Sequence, residues 1–183
     1  MPPPSHRHAA PLLLLGCVIF GLGSLIVKFV AVGSYAIAFW RLAIAAVIFL
    51  VLARLCRHPF PQSRRAIGAA LLSGVFLAFD LALWHESIHA VGPGISTLLN
   101  SLQIFFLTAI GIACFGERPN ALQSLSLLLA IGGVALIGSP EFGHNGNAVW
   151  GFISGTASGA LLALSMLCVR KRSEEHTSEL QSR

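Results

Sequence analysis

Charge is what this sequence has least of: Lys and Arg number 12 and Asp and Glu seven, so only 10% of the 183 residues are charged, against roughly a quarter in an average soluble domain. A chain so poor in charge cannot cover itself with polar surface, which excludes an ordinary soluble domain and a disordered chain. The four cysteines, Cys17, Cys56, Cys114 and Cys168, include no C-x-x-C pair. They stand in or beside apolar sequence and not in the polar, loop-rich sequence of a disulfide-stapled secreted module, so they read as reduced structural thiols. No stretch interleaves basic and stacking aromatic residues on a soluble face, so nucleic acid is not an expected partner.

What the chain does have is apolar runs: 55% of its residues are hydrophobic. A bilayer core about 30 Å thick needs about 20 apolar residues per helix, so 183 residues can hold six spans with short loops and no separate catalytic or sensory domain. The runs fall at 11–32, 36–52, 68–88, 94–115, 122–137 and 148–169. Between them lie turn signals, among them Gly33-Ser34, Arg57-His58-Pro59-Phe60-Pro61, Gly92-Pro93-Gly94 and Gly116-Glu117-Arg118-Pro119. The first run is longer than a normal signal-peptide core and five more follow it, so it reads as a retained helix. The expected fold class is therefore an all-α integral membrane protein with six transmembrane helices.

Orientation follows from the basic residues. A cytoplasmic N-terminus (residues 1–9) places Arg7, Arg54, Arg57, Arg64, Arg65, Arg118, Arg170 and Lys171 inside, and leaves the three outer loops without Lys or Arg. The cell membrane is the expected location. The net charge of +5 is a consequence of this topology. After Lys171 the composition turns abruptly polar. The string RSEEHTSELQS resembles the conceptual translation of a sequencing-library adapter, so residues 172–183 are set aside from fold reasoning, and the chain is expected to be a piece of a longer protein.

Ionisable residues inside a bilayer cost roughly 2.5–3.5 kcal/mol at the helix centre on insertion scales and need a reason to be there. Counting 1.5 Å per residue from the outer helix ends puts Lys28 at about 6 Å, Arg41 at about 8 Å and Asp80 at about 12 Å depth. Trp84, Asn100 and Gln103 come out at about 6, 9 and 14 Å. Four helices thus bring polar groups into one slab in the outer half. The plain account is that Asp80 neutralises Arg41 or Lys28, that Lys28 snorkels, and that Asn100 and Gln103 tie helices together. The functional account is a cavity for an amphipathic or charged solute, its positive excess favouring a carboxylate. Gly151, Gly155 and Gly159 form G-x-x-x-G-x-x-x-G on the sixth span, a face for close helix approach within the chain or at a homodimer seam.

His85-Glu86-Ser87-Ile88-His89 matches H-E-x-x-H, which supports a second reading as an intramembrane zinc protease with His85 and His89 as ligands and Glu86 activating water. A catalytic zinc needs a third protein ligand. The nearby ones on that side are Glu141 and His144. Against this reading, the motif lies at the outer mouth of the third span beside a Gly-Pro-Gly turn, where interfacial polar residues capping a helix end account for it. A membrane scaffold without transport activity is a third possibility.

Several segments together resemble the EamA family of the drug/metabolite transporter superfamily. They are Phe20-Gly21 with Lys28, Ala38-Phe39-Trp40-Arg41, Leu81-Ala82-Leu83-Trp84 through Gly92, Thr97-Leu98-Leu99-Asn100, Gly116-Glu117-Arg118-Pro119 and Gly132-Gly133-Val134-Ala135-Leu136. The resemblance covers residues 10–171. It implies a ten-helix transporter of two inverted five-helix repeats, with residues 10–138 the first repeat and 148–171 the first helix of the second. It further implies alternating-access export or uptake of small metabolites such as amino acids or amphipathic compounds, no cofactor and no enzymatic activity. A coupling ion or proton is compatible with it, with Asp80 as the group concerned. One departure stands out: Gln103 occupies a position where the family often has Pro, which puts a kink in the fourth span in question.

Overall fold

The computed structural model describes residues 6–30, 33–56, 63–116, 120–140 and 145–181. The side chains of residues 6–9, 115 and 171–181 lie outside that description, as do Arg57, Glu117, Arg118, Glu141 and His144. The described residues form helices only: α1 (His6–Phe29), α2 (Ser34–Leu55), α3 (Arg64–Val91), α4 (Pro93–Asn100), α5 (Gln103–Phe115), α6 (Ala121–Gly138) and α7 (Ala148–Gln181). Six segments are long and apolar enough to cross a membrane: Ala10–Phe29, Ser34–Leu55, Arg64–Val91, Pro93–Cys114, Ala121–Gly138 and Ala148–Arg170. With no water inside a bilayer, each backbone must satisfy its own hydrogen bonds, and long apolar helices are the form that does so.

The ends follow from local chemistry. Gly92 adopts φ +85°, where a side chain would be strained, and Pro93 opens α4 at a position whose N–H needs no partner. Gly116, at φ +66°, closes α5 with a left-handed cap. Asn120 and Gln123 form a capping box at the start of α6, each satisfying the other's backbone N–H. α7 runs past Arg170 to Gln181, as a segment containing Glu174, Glu175 and Glu179 can.

The fourth span is two helices, not one. At Ser101 and Leu102 the ladder tightens to i→i+3 bonds, Leu102 N–H to Leu99 O at 3.0 Å and Phe105 N–H to Leu102 O at 2.9 Å. The missing proline at Gln103 therefore does not give a continuous helix. The interruption presses against α7, where a Cβ added at Gly159 would stand 2.9 Å from Asn100 O and 3.2 Å from Gln103 N.

α3 is the hub, packed against α7, α4, α2 and α1. With 28 residues it measures about 42 Å, longer than the hydrocarbon core, so its ends reach the interfaces. It meets α7 antiparallel through a polar seam with a seven-residue step. Ser73 and Ser165 exchange hydroxyl bonds (Oγ···Oγ 2.9 Å), Asp80 reaches Ser158 through Asn100, and Ser87 Oγ donates to Gly151 O at 2.8 Å. A seven-residue step drifts only about 20° per repeat around a helix, so two helices keep such a seam together over this length. Elsewhere the outward faces are apolar, as with Leu12–Leu15, Phe49 and Leu128, the surface a lipid solvent requires.

Candidate functional site

The polar side chains inside the bundle divide into two clusters one turn apart on α3. In the first, Arg41 of α2 donates from Nη1 to Nε2 of His85 at 3.1 Å. Arginine has only donors, so Nε2 is the acceptor and Nδ1 carries the proton, which it directs to Ser34 O at 3.3 Å. Both ring nitrogens of this fully buried histidine are thereby engaged. The Arg41 guanidinium also lies 5.9 Å from the centroid of Trp84, a cation–π distance. Phe20 stacks on the same indole at 5.6 Å and 14°. Val27, Trp84 and Ile88 form the apolar floor. Trp84 Nε1 is buried and has no hydrogen-bond partner among the described residues.

Arg41 also lines a cavity of about 550 Å³ between α1 and α2, with Gly16, Phe20, Gly23, Val27 and Ile37 among its other walls. Gly16 and Gly23 leave open space where side chains would be. The cavity is apolar except for the guanidinium at one wall. A larger gap of about 870 Å³ separates α5 from α6. It has no charged lining: its hydroxyls Ser101, Thr108 and Ser126 turn back onto Thr97 O, Ile104 O and Leu122 O of their own chain segments. Its one amide side chain, Gln123, accepts from Asn120 N–H, so the gap offers a solute no charged partner.

In the second cluster Asn100, the last residue of α4, donates both amide hydrogens, to Asp80 Oδ1 at 2.8 Å and to Ser158 Oγ at 2.9 Å. Ser158 in turn donates to Gly155 O at 2.8 Å. Asp80 is 3% exposed. Hydrogen bonds between membrane helices average about 0.6 kcal/mol and reach about 1.7, so Asn100 offsets only part of the roughly 2.5–3.5 kcal/mol that a carboxylate costs at mid-membrane. In place of the ion pair expected for Asp80 stand these uncharged partners: Arg41 bonds His85, and Lys28 is exposed, its Nζ 3.8 Å from the position of a Cβ at Gly92. Depth counting put Lys28 in the same slab. Its Nζ lies beside the Gly92-Pro93 turn, away from Asp80 and Arg41's partner His85. Gln103 sits at the start of α5 with Oε1 buried and without a hydrogen-bond partner among the described residues.

The glycines of α7 face the chain's own helices. A Cβ at Gly151 would meet Val91 and Ala90, one at Gly155 would meet Ser87 and Leu99, and one at Gly159 would meet the backbone of Asn100 and Gln103. The surface a homodimer seam would have used is thus occupied within the chain. The H-E-x-x-H segment does not assemble a zinc site among the described residues: His85 is committed to Arg41 and Ser34, His89 is exposed, and Glu86 accepts from Trp150 Nε1 at 3.4 Å. No three His, Cys, Asp or Glu side chains converge among the described residues.

Sequence reasoning missed Ser34, Ser158 and the inward role of His85. A signal for the second cluster was present: Ser73, Asp80 and Ser87 recur every seven residues on α3, and Ser158 and Ser165 repeat the step on α7.

Six apolar spans with ionisable groups lodged inside the bundle define a multi-pass α-helical membrane protein. Residues 8–139 match the family model of the EamA-like transporter family, and the chain belongs to that family, within the drug/metabolite transporter superfamily. No curated protein and no solved structure matches the chain.

Proposed function

We propose that the chain moves small amphiphilic metabolites bearing a carboxylate, amino acids among them, by alternating access, with Arg41 as the carboxylate-binding group. The observation that carries this reading is the single guanidinium in an otherwise apolar cavity, held by His85 and backed by Trp84. His85 uses one arm of the fork, and the remaining donors suit a planar carboxylate. In the same cluster Trp84 Nε1 adds a buried donor without a partner among the described residues. Apolar walls at Phe20, Val27 and Ile37 suit the hydrocarbon part of such a solute.

In this reading Asp80 and Asn100 form the coupling cluster beneath the substrate. Residues 10–138 are the first five-helix repeat, α7 opens a second, and the N-terminus is cytoplasmic in the cell membrane. The belonging to a transporter family and the commitment of His85 to Arg41 both favour transport over zinc proteolysis. The test is substrate affinity in proteoliposomes. Losing a charge-assisted hydrogen bond of about 1.5–3 kcal/mol raises the apparent Kd of a carboxylate solute roughly 10- to 100-fold in Arg41→Gln, while Arg41→Lys recovers part of it. Unaltered affinity in Arg41→Gln refutes Arg41 as the binding group.

A further inference from the structure

Oxygen atoms gather at the interruption between α4 and α5. Where the helix stops at Asn100 and resumes at Gln103, the carbonyl oxygens of Leu99 and Asn100 lie against α7, 3.2 and 2.9 Å from the position of a Cβ at Gly159; Leu99 O accepts from Leu102 N–H at 3.0 Å and keeps one lone pair for another partner. The neighbouring residue, Ser158, presents its hydroxyl 2.9 Å from Asn100 Nδ2, which is itself 2.8 Å from Asp80 Oδ1. Gln103, whose backbone N faces the same glycine, has a buried side-chain carbonyl oxygen with no hydrogen-bond partner among the described residues. Irregular backbone is tolerated at membrane depth where it is buried in protein or lines a site.

The set consists of one carboxylate, one hydroxyl, two main-chain carbonyls and one side-chain carbonyl, with no sulfur and no imidazole. Hard oxygen donors select hard cations over transition metals. A single negative charge balances a monovalent cation and leaves a divalent one half compensated. Unwound carbonyls at a broken membrane helix are a recurrent means of holding such an ion. Asn100 suits a changing occupant, since its amide has a donor end, used here, and an acceptor end.

We propose that Asp80, Ser158, Gln103 and the carbonyls at the α4–α5 interruption form a sodium-binding site. Its role as the coupling site rests on the transport reading above, whereas its ability to bind sodium does not. Sodium binding then stands where an ion pair with Arg41 or Lys28 would otherwise have been needed, and substrate and ion occupy adjacent turns of α3.

The experiment is equilibrium binding of radioactive sodium to the purified full chain in lipid nanodiscs, in choline buffer and without substrate. The expected result is saturable one-to-one binding, abolished in Asp80→Asn and weakened at least about tenfold in Ser158→Ala and in Gln103→Leu, as loss of one buried ligand of an ion predicts. Ser158→Ala removes one atom beside glycines and leaves the packing in place, and circular dichroism verifies the fold of each variant. Absence of saturable binding to the folded wild type overturns the proposal, as does binding unchanged in both Asp80→Asn and Ser158→Ala. Transport driven by a proton gradient alone, with no sodium bound, overturns it while leaving the transport reading intact. Sodium binding by a chain that moves no solute defeats the transport reading and leaves the site standing.

Discussion

At the scale of single residues, the account turns on which polar groups are joined. Counting residues down each span gave heights, and heights alone put Lys28, Arg41 and Asp80 together. Direction around the helix axis separates them, because Lys28 points to the Gly92-Pro93 turn while Arg41 bonds His85 and Asp80 bonds Asn100. No composition argument contains that angle; of the partners it selects, His85 was legible only as part of H-E-x-x-H and Ser158 only as a member of a seven-residue repeat. His85 positions Arg41 by accepting its hydrogen bond. Replacing it by Phe leaves a buried guanidinium edge unpartnered, a loss of about 1–3 kcal/mol. His85→Phe is therefore expected to lower the midpoint of thermal unfolding in detergent and to weaken carboxylate binding, while His85→Gln, whose amide oxygen can accept from Arg41, restores part of both.

At the scale of elements, α3 and α7 form the most extensively packed pair of helices. Their glycines differ in what they touch, which gives an ordering that stability measurements can check. At Gly159 an added methyl meets the backbone at Asn100 and Gln103, which cannot move without disturbing the helix interruption. At Gly155 it meets the Ser87 hydroxyl and the end of the Leu99 side chain, and also Leu99 Cβ, which is fixed to the backbone; at Gly74 of α3 it meets nothing. Overpacking costs typically about 1–3 kcal/mol, so Gly159→Ala and Gly155→Ala are both predicted to lose stability in that range and Gly74→Ala to lose none, by thermal or denaturant unfolding in micelles. A loss at Gly74 equal to those at Gly155 and Gly159 contradicts the packing described here. The Ser73–Ser165 pair tests the seam itself: a double-mutant cycle to Ala is expected to give a coupling near 0.6 kcal/mol, the average for hydrogen bonds between membrane helices. The spans were readable from sequence because lipid imposes one length and one polarity on all of them. The interruption at Ser101 and Leu102 was not, since neither residue is Gly or Pro and the break is stabilised by the close approach of Gly159.

At the scale of the whole molecule, belonging to the EamA-like transporter family and carrying six spans agree with the composition, which left the chain nothing but bilayer in which to fold. The basic residues predict which side each loop faces. Cys56, exposed just past α2, is expected on the cytoplasmic side with Arg54, Arg64 and Arg65. A membrane-impermeant maleimide should label it in inverted vesicles and not in intact cells, with the signal lost in Cys56→Ser. Labelling in intact cells reverses the topology. Arg41, and no acidic group, stands at the wall of the cavity between α1 and α2. The central claim is that this cavity carries carboxylate-bearing amphiphiles across the membrane, and its most direct test is uptake of a panel of labelled amino acids and amphipathic carboxylates by proteoliposomes containing the purified chain. The account predicts saturable uptake of at least one carboxylate solute, reduced in Arg41→Gln. Uptake no greater than that of protein-free liposomes across the whole panel, from a folded and correctly inserted chain, contradicts it.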